Sequence, residues 1–124
     1  MNSLSALVSV VDDDQSVRES LPDPLRQYGF AVRAFSSADQ FLASDCIAQT
    51  RCLILDVAMP GMPGPDLQRA LTLRRERIPI VFITAQRDED IRPRLLEQGA
   101  MECLFKPFSE AALRKALDAA LRVA

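Results

Sequence analysis

No histidine occurs in the 124 residues. That absence removes Ser-His and Cys-His nucleophilic catalysis, histidine-ligated metal sites and any role as a phosphohistidine donor. Cysteine is scarce: Cys46, Cys52 and Cys103 are odd in number and lack the close paired spacing of a zinc site. They read as reduced thiols of a cytosolic protein. No apolar run approaches the roughly 20 residues of a membrane span. Met1 to Val11 carries no basic segment and leads straight into acids, so no secretory signal, a cytoplasmic location and no membrane association are expected. Repeats, linkers and low-complexity tracts are missing too. The chemistry that remains must use carboxylates, hydroxyls or lysine.

What is present is an ordinary globular balance, 48% hydrophobic and 26% charged, with the length of one domain and one core. The net charge is −2 and the isoelectric point about 5.1, which argues against direct nucleic-acid binding by this domain. Thirteen of the fifteen basic residues are arginines. The group Arg69, Arg74, Arg75 and Arg77 reads as a solvated face near a helix end, where the dipole favours positive charge.

Short apolar runs punctuate the chain. Leu7–Val11 stops at Asp12, Asp13 and Asp14, and reads as a first strand. Val17, Leu21, Leu25 and Tyr28 form a helical stripe ended by Gly29, but Pro22 and Pro24 interrupt it. Interior proline removes a backbone hydrogen bond and clashes with the preceding turn, so the helix is expected to be kinked, shortened or split. Ala31–Phe35 reads as the second strand, and Ser37 with Gln40 as a capping box opening a short helix through Leu42. Cys52–Leu55 suits a third strand buried on both faces. Gly64, Pro65 and Asp66 then start a helix carrying Leu67, Ala70, Leu71 and Arg74.

Ile80–Ile83 is a wholly apolar fourth strand. Asp88 opens a helix with Ile91, Leu95 and Leu96 on one side, Pro93 early enough to be tolerated, and Gly99 as its stop. Cys103–Phe105 is a short fifth strand. Ser109 caps a last helix with Leu113, Leu117 and Leu121 inward, and Phe108 and Leu113 are spaced as a hydrophobic staple. Strand and helix alternate five times, which predicts an α/β fold: a five-stranded parallel sheet with helices on both faces and right-handed crossovers.

The polar residues that follow the strands supply the functional reading. Asp12 and Asp13 follow the first strand, Asp56 the third, Thr84 the fourth and Lys106 the fifth. In a parallel sheet those carboxyl ends share one edge, and with strand order 2-1-3-4-5 the acids meet at the switch point between strands one and three. Three clustered carboxylates take up protons or recruit a cation, and an all-oxygen, partly hydrated site suits Mg²⁺. With the charge cancelled, a phosphoryl group could approach, Lys106 and Thr84 holding its equatorial oxygens and Asp56 acting as carboxylate nucleophile. Asp14 reads as a helix cap.

With VVDDD at 10–14, DVAMPGMPG at 56–64, ITA at 83–85 and FKPF at 105–108, the sequence resembles a response-regulator receiver domain of two-component signalling over essentially its whole length. The resemblance implies a flavodoxin-like, doubly wound sheet and a single receiver domain over residues 1–124 with no output domain in this chain. It implies Mg²⁺ held by Asp13, Asp56 and the Ala58 carbonyl, with Asp12 acting largely through water. Asp56 would be the phosphoacceptor for a sensor histidine kinase, and Thr84 and Lys106 would bind the acyl phosphate. Phosphorelay signalling of this kind switches a protein-interaction surface and commonly controls a transcriptional output domain in a longer protein. The face built by the fourth helix, fifth strand and fifth helix is where such proteins dimerise or meet effectors. A receiver assists its own phosphotransfer and dephosphorylation but is not a free-standing enzyme.

The resemblance also makes Lys106–Pro107 a candidate cis bond. Two positions depart from the family pattern. Cys103 stands where a rotating Tyr or Phe usually couples the site to the output face, and Pro22 with Pro24 alters a helix that commonly helps dock the kinase. These departures motivate a second reading, a receiver-like interaction module that works without phosphorylation. An aspartyl phosphatase is disfavoured because Ala58 leaves no second acid two residues after Asp56. A flavin site is disfavoured because the acidic mouth lacks a Gly/Ser/Thr phosphate cradle.

Overall fold

A computed structural model describes residues 6–85 and 90–122. β1 (Leu7–Val11), β2 (Ala31–Phe35), β3 (Thr50–Asp56), β4 (Ile80–Thr84) and β5 (Glu102–Phe105) form one parallel sheet in the order β2-β1-β3-β4-β5. This is the expected doubly wound topology. β3 runs further than the apolar residues alone indicate. Thr50 joins at its start because its hydroxyl is satisfied inside the protein, at 2.7 Å from both the Ser9 hydroxyl and the Cys46 carbonyl.

The two faces of the sheet carry separate cores. Leu53, Leu55, Phe82 and Cys103 pack with α3 (Ala38–Ala43), α4 (Gly64–Leu73) and α5 (Ile91–Glu97) on one side. Val8, Val10, Ile54, Val81 and Ile83 pack with α1 (Gln15–Ser20), α2 (Pro22–Gln27) and α6 (Glu110–Arg122) on the other. Because alternate residues of β3 and β4 serve opposite faces, Cys52–Leu55 and Ile80–Ile83 are apolar throughout, and all five residues of β4 are buried.

The proline pair in the first helical stretch splits it. α1 stops at Ser20, Leu21 serves as the joint, and α2 begins at Pro22. Pro22 and Pro24 both fall in the first turn of α2, where backbone N–H groups have no intrahelical partner to lose. Leu21 at the joint and Leu25 beyond it remain buried, so the apolar stripe survives the break. Counting this split, the fourth and fifth helices of the sequence reading are α5 and α6.

The capping signals are realised with one shift. Ser37 Oγ accepts from the Gln40 N–H at 3.1 Å, while the Gln40 side chain accepts from the N–H of Ser36 at 3.0 Å, one residue earlier than a standard box. Ser109 Oγ accepts from the Ala112 N–H at 3.0 Å, and Phe108 and Leu113 share one cluster. The helix start expected at Asp88 lies outside the described residues.

At the end of α4, Arg75 adopts φ 61° and its neighbour's N–H, that of Glu76, reaches back to the Leu71 carbonyl at 2.9 Å. This six-residue closure is the arrangement glycine normally serves, since a Cβ disfavours the left-handed region.

Candidate functional site

β1 and β3 are neighbours at the centre of the sheet, and their carboxyl ends deliver the acids. Asp12 follows Val11 directly and extends the ladder through its N–H to the Phe35 carbonyl at 3.1 Å. Asp56 is the last residue of β3, and Asp12 and Asp56 are 0% and 6% exposed, against an exposed Asp13. One carboxylate oxygen from each of Asp12, Asp13 and Asp56 lies within 4.8 Å of the others. The three expected acids therefore converge, although 43 residues separate Asp13 from Asp56 in number.

Lys106 enters from the end of β5. Its Nζ donates to Asp12 Oδ2 at 2.9 Å and lies 3.8 Å from Asp56 Oδ1. The lysine therefore spans both buried acids and hydrogen-bonds Asp12. Its backbone N–H donates to the Thr84 carbonyl at 2.8 Å, and the Lys106–Pro107 peptide bond is cis. Thr84 is fully buried at the end of β4, one residue past Ile83, the cross-strand partner of Asp56. Ala58 is exposed two residues beyond Asp56.

The electrostatics follow from that crowding. Burial pushes the Asp56 carboxyl up, the Asp12 charge pushes it further, Lys106 opposes and Asp13 adds to the rise, which brings it to about 7 from an ordinary 3.8. Burial by itself would lower the Lys106 ammonium, but its hydrogen bond to Asp12 and the charge of Asp56 outweigh that and raise it. An oxygen-only donor set with excess negative charge fits a hard divalent cation of the Mg²⁺ type better than a thiophilic metal.

Two supporting residues had no site role assigned from the sequence. Arg18 of α1 donates from Nη1 to the Asp12 carbonyl at 3.0 Å, which holds the acidic turn against the helix. Gly64 opens α4 with its Cα against the Asp56 carbonyl, and a Cβ built there would overlap that oxygen and lie 3.0 Å from the Phe82 ring. The glycine at the end of a proline-rich loop was visible; the close backbone approach was not. Asp14 acts as the expected cap, accepting from the Ser16 N–H at 2.9 Å, and its own N–H donates to Asp12 Oδ1 at 2.9 Å.

Comparison with known proteins decides the lineage. The family model described as the response regulator receiver domain matches residues 8–118. The chain belongs to the response-regulator receiver family. It is 40% identical over 124 residues to the response regulator protein TmoT of Ectopseudomonas mendocina, covering 100% of this chain and 56% of TmoT. It is 38% identical over 117 residues to the transcriptional regulatory protein TdiR of Thauera aromatica, covering 94% of this chain and 52% of TdiR. Among solved structures, the response regulator StyR superposes with a TM-score of 0.87 at 48% identity, over 94% of this chain and 59% of that one. FixJ-N superposes at 0.86 and 33% identity, over 97% and 96%. This receiver spans about half the length of the curated relatives it matches.

Membership makes this chain a receiver domain of the kind that response regulators carry. Among the described residues no helix is long and apolar enough to cross a membrane. Cys103 is buried at 3% exposure in the α4/α5 core. Burial, with Glu102 nearby, pushes its thiol up to about 11 despite Arg92, and burial pushes Cys52 up to about 12. Neither is a reactive thiolate at neutral pH.

Proposed function

We propose that this receiver is a Mg²⁺-dependent phosphoacceptor, phosphorylated on Asp56 by a sensor histidine kinase. The observation that carries the reading is the convergence of Asp12, Asp13 and Asp56 within 4.8 Å, with Lys106 hydrogen-bonded into the cluster. Asp13, Asp56 and the Ala58 carbonyl would hold the cation, with Asp12 acting through water. When bound, Mg²⁺ supplies positive charge that offsets the acids and the incoming phosphoryl oxygens.

The chain's own residues then divide the work. Asp56 presents a carboxylate oxygen to phosphorus in line with the departing imidazole of the donor, and its C–O oxygen forms the acyl-phosphate bond as the P–N bond breaks. Lys106, already between Asp12 and Asp56, shifts toward an equatorial phosphoryl oxygen, and the Thr84 hydroxyl donates to another. Water attack at phosphorus later releases phosphate and restores the carboxylate, so the same residues assist dephosphorylation.

Movement of Thr84 and Lys106 acts on β4 and β5, whose outer neighbours are α5 and α6. The α5–β5–α6 face is the proposed output surface, for a second receiver or an effector. TdiR is a transcriptional regulatory protein, which supports placing this receiver in a longer transcription regulator, and a cytoplasmic location follows from that role. Retention of the acids with Lys106 favours this reading over an interaction module independent of phosphorylation, which has no use for them.

Acetyl phosphate with Mg²⁺ provides the test. Intact mass should rise by one phosphoryl group in the wild type and not in Asp56→Asn or when EDTA replaces Mg²⁺. A phosphoryl adduct that persists in Asp56→Asn would sink the assignment.

A further inference from the structure

The other end of the sheet holds a second arrangement that the phosphoacceptor reading does not use. Helices antiparallel to the strands bring the carboxyl end of α4 to the amino end of β4, opposite Thr84. There a cavity of about 460 Å³ opens between the ends of α4 and α5, within the ~300–1,000 Å³ range of small-molecule sites. Leu71, Ile78 and Ile80 line it with apolar surface, and Arg75, Arg77, Glu76 and Gln98 contribute polar groups.

The arginines of this end differ from the rest. Elsewhere the described arginines donate to an oxygen, lie in an ion pair with a carboxylate or lie over an aromatic ring. Arg51, Arg74, Arg75 and Arg77 have no side-chain hydrogen bond or ion pair among the described residues. Arg75 is moreover held at φ 61°, where glycine is the unstrained choice, on the lip of the cavity. An unpaired guanidinium in a strained backbone position fits a group kept for a ligand better than one kept for the fold.

We propose that this cavity binds a small amphipathic carboxylate, its anionic head between the Arg75 and Arg77 guanidinium groups and its apolar body on Leu71, Ile78 and Ile80. Two arginines and one glutamate give the charged lining a net +1, which favours an anion. Guanidinium groups recognise carboxylates through paired N–H donors. The site is independent of the chemistry at Asp56 and stands whether or not that residue accepts phosphate.

Titration of the ¹⁵N-labelled protein tests the proposal, with benzoate as anionic probe and benzyl alcohol and benzylamine as neutral and cationic controls of similar shape. Benzoate should produce saturable amide shifts confined to Arg75–Ile78, Gln98 and Gly99, and bind at least tenfold more tightly than either control. Arg75→Gly removes the guanidinium while relieving the backbone, so it keeps the fold and should weaken benzoate at least tenfold. Arg77→Gln should do the same, and Asp56→Asn should leave binding unchanged. Non-saturable shifts, equal binding of benzylamine, shifts centred on Asp56 and Lys106, or full affinity in both arginine variants would each overturn the proposal.

Discussion

Replacing Asp56 with asparagine should stabilise the metal-free domain at neutral to alkaline pH, although it deletes the residue proposed to carry the function. Asp56 is 6% exposed and its carboxyl rises to about 7 from 3.8, through burial and the Asp12 charge. A carboxyl whose folded value lies above its unfolded value favours folding fully only below the unfolded value. As pH climbs from near 4 to about 7 the unfolded state loses its proton first, and stability falls until the folded state has ionised too. A shift of that size corresponds to at most about 4 kcal/mol. Lys106 and Asp12 share in the titration, so the realised gain from a neutral isostere should be about 1–3 kcal/mol.

Urea unfolding followed by circular dichroism in EDTA measures it, with equal slopes in both proteins as the condition for comparing free energies. The advantage of Asp56→Asn should be full near about pH 8 and shrink toward zero near about pH 4. Adding Mg²⁺ at the higher pH should narrow the gap, because the wild type offers the cation one more carboxylate. An asparagine variant that is less stable at the higher pH, or a gain that does not change with pH, would refute the view that the acids repel one another in the folded protein.

Lys106→Met should destabilise the metal-free protein by about 1–3 kcal/mol, since it takes from the fully buried Asp12 the charged donor to Oδ2 and leaves only the Asp14 N–H on Oδ1; calorimetric titration should show tighter Mg²⁺ binding once the competing ammonium is gone. Gly64→Ala should cost about 1–3 kcal/mol, because the new methyl meets the Asp56 carbonyl and the Phe82 ring. The same unfolding assay reads that loss, and an unchanged midpoint would mean the loop yields freely. Ser109→Ala should remove about 1 kcal/mol by taking the cap from the Ala112 N–H, whereas Ser109→Asp should preserve stability.

The legible parts of the fold were those whose signal is local. β1 and β2 show in sequence as short apolar or β-branched runs, and both lie where that pattern places them. The ends of β3 and β5 were less legible, because Thr50 and Glu102 join their strands through tertiary partners: a buried hydroxyl pair for one, Arg92 at 2.7 Å for the other. Pro22 and Pro24 announced a disturbed helix, but kinking, shortening and splitting satisfy the same local rule. Splitting won because Leu21 and Leu25 both had a core to enter.

The candidate site was legible as a set of strand-end residues, since a parallel sheet brings all carboxyl ends to one edge whatever the loops do. Arg18 was not, because a helix-surface arginine gives no hint that the Asp12 carbonyl lies within reach. The same holds for the base cavity: Arg75 and Arg77 look like an ordinary basic helix end until the cavity they line and the Arg75 backbone angle are seen.

Alone, the sequence determined which residues are buried in alternating βα units and which acids, hydroxyl and lysine follow the strands, because hydrophobic periodicity and chain order are written residue by residue. Tertiary structure alone decided how those groups share charge: that Lys106 hydrogen-bonds Asp12, that Asp56 is raised to about 7, and that Gly64 must be small. Those facts depend on distances of a few ångströms between segments tens of residues apart, and such distances exist only once the sheet has closed.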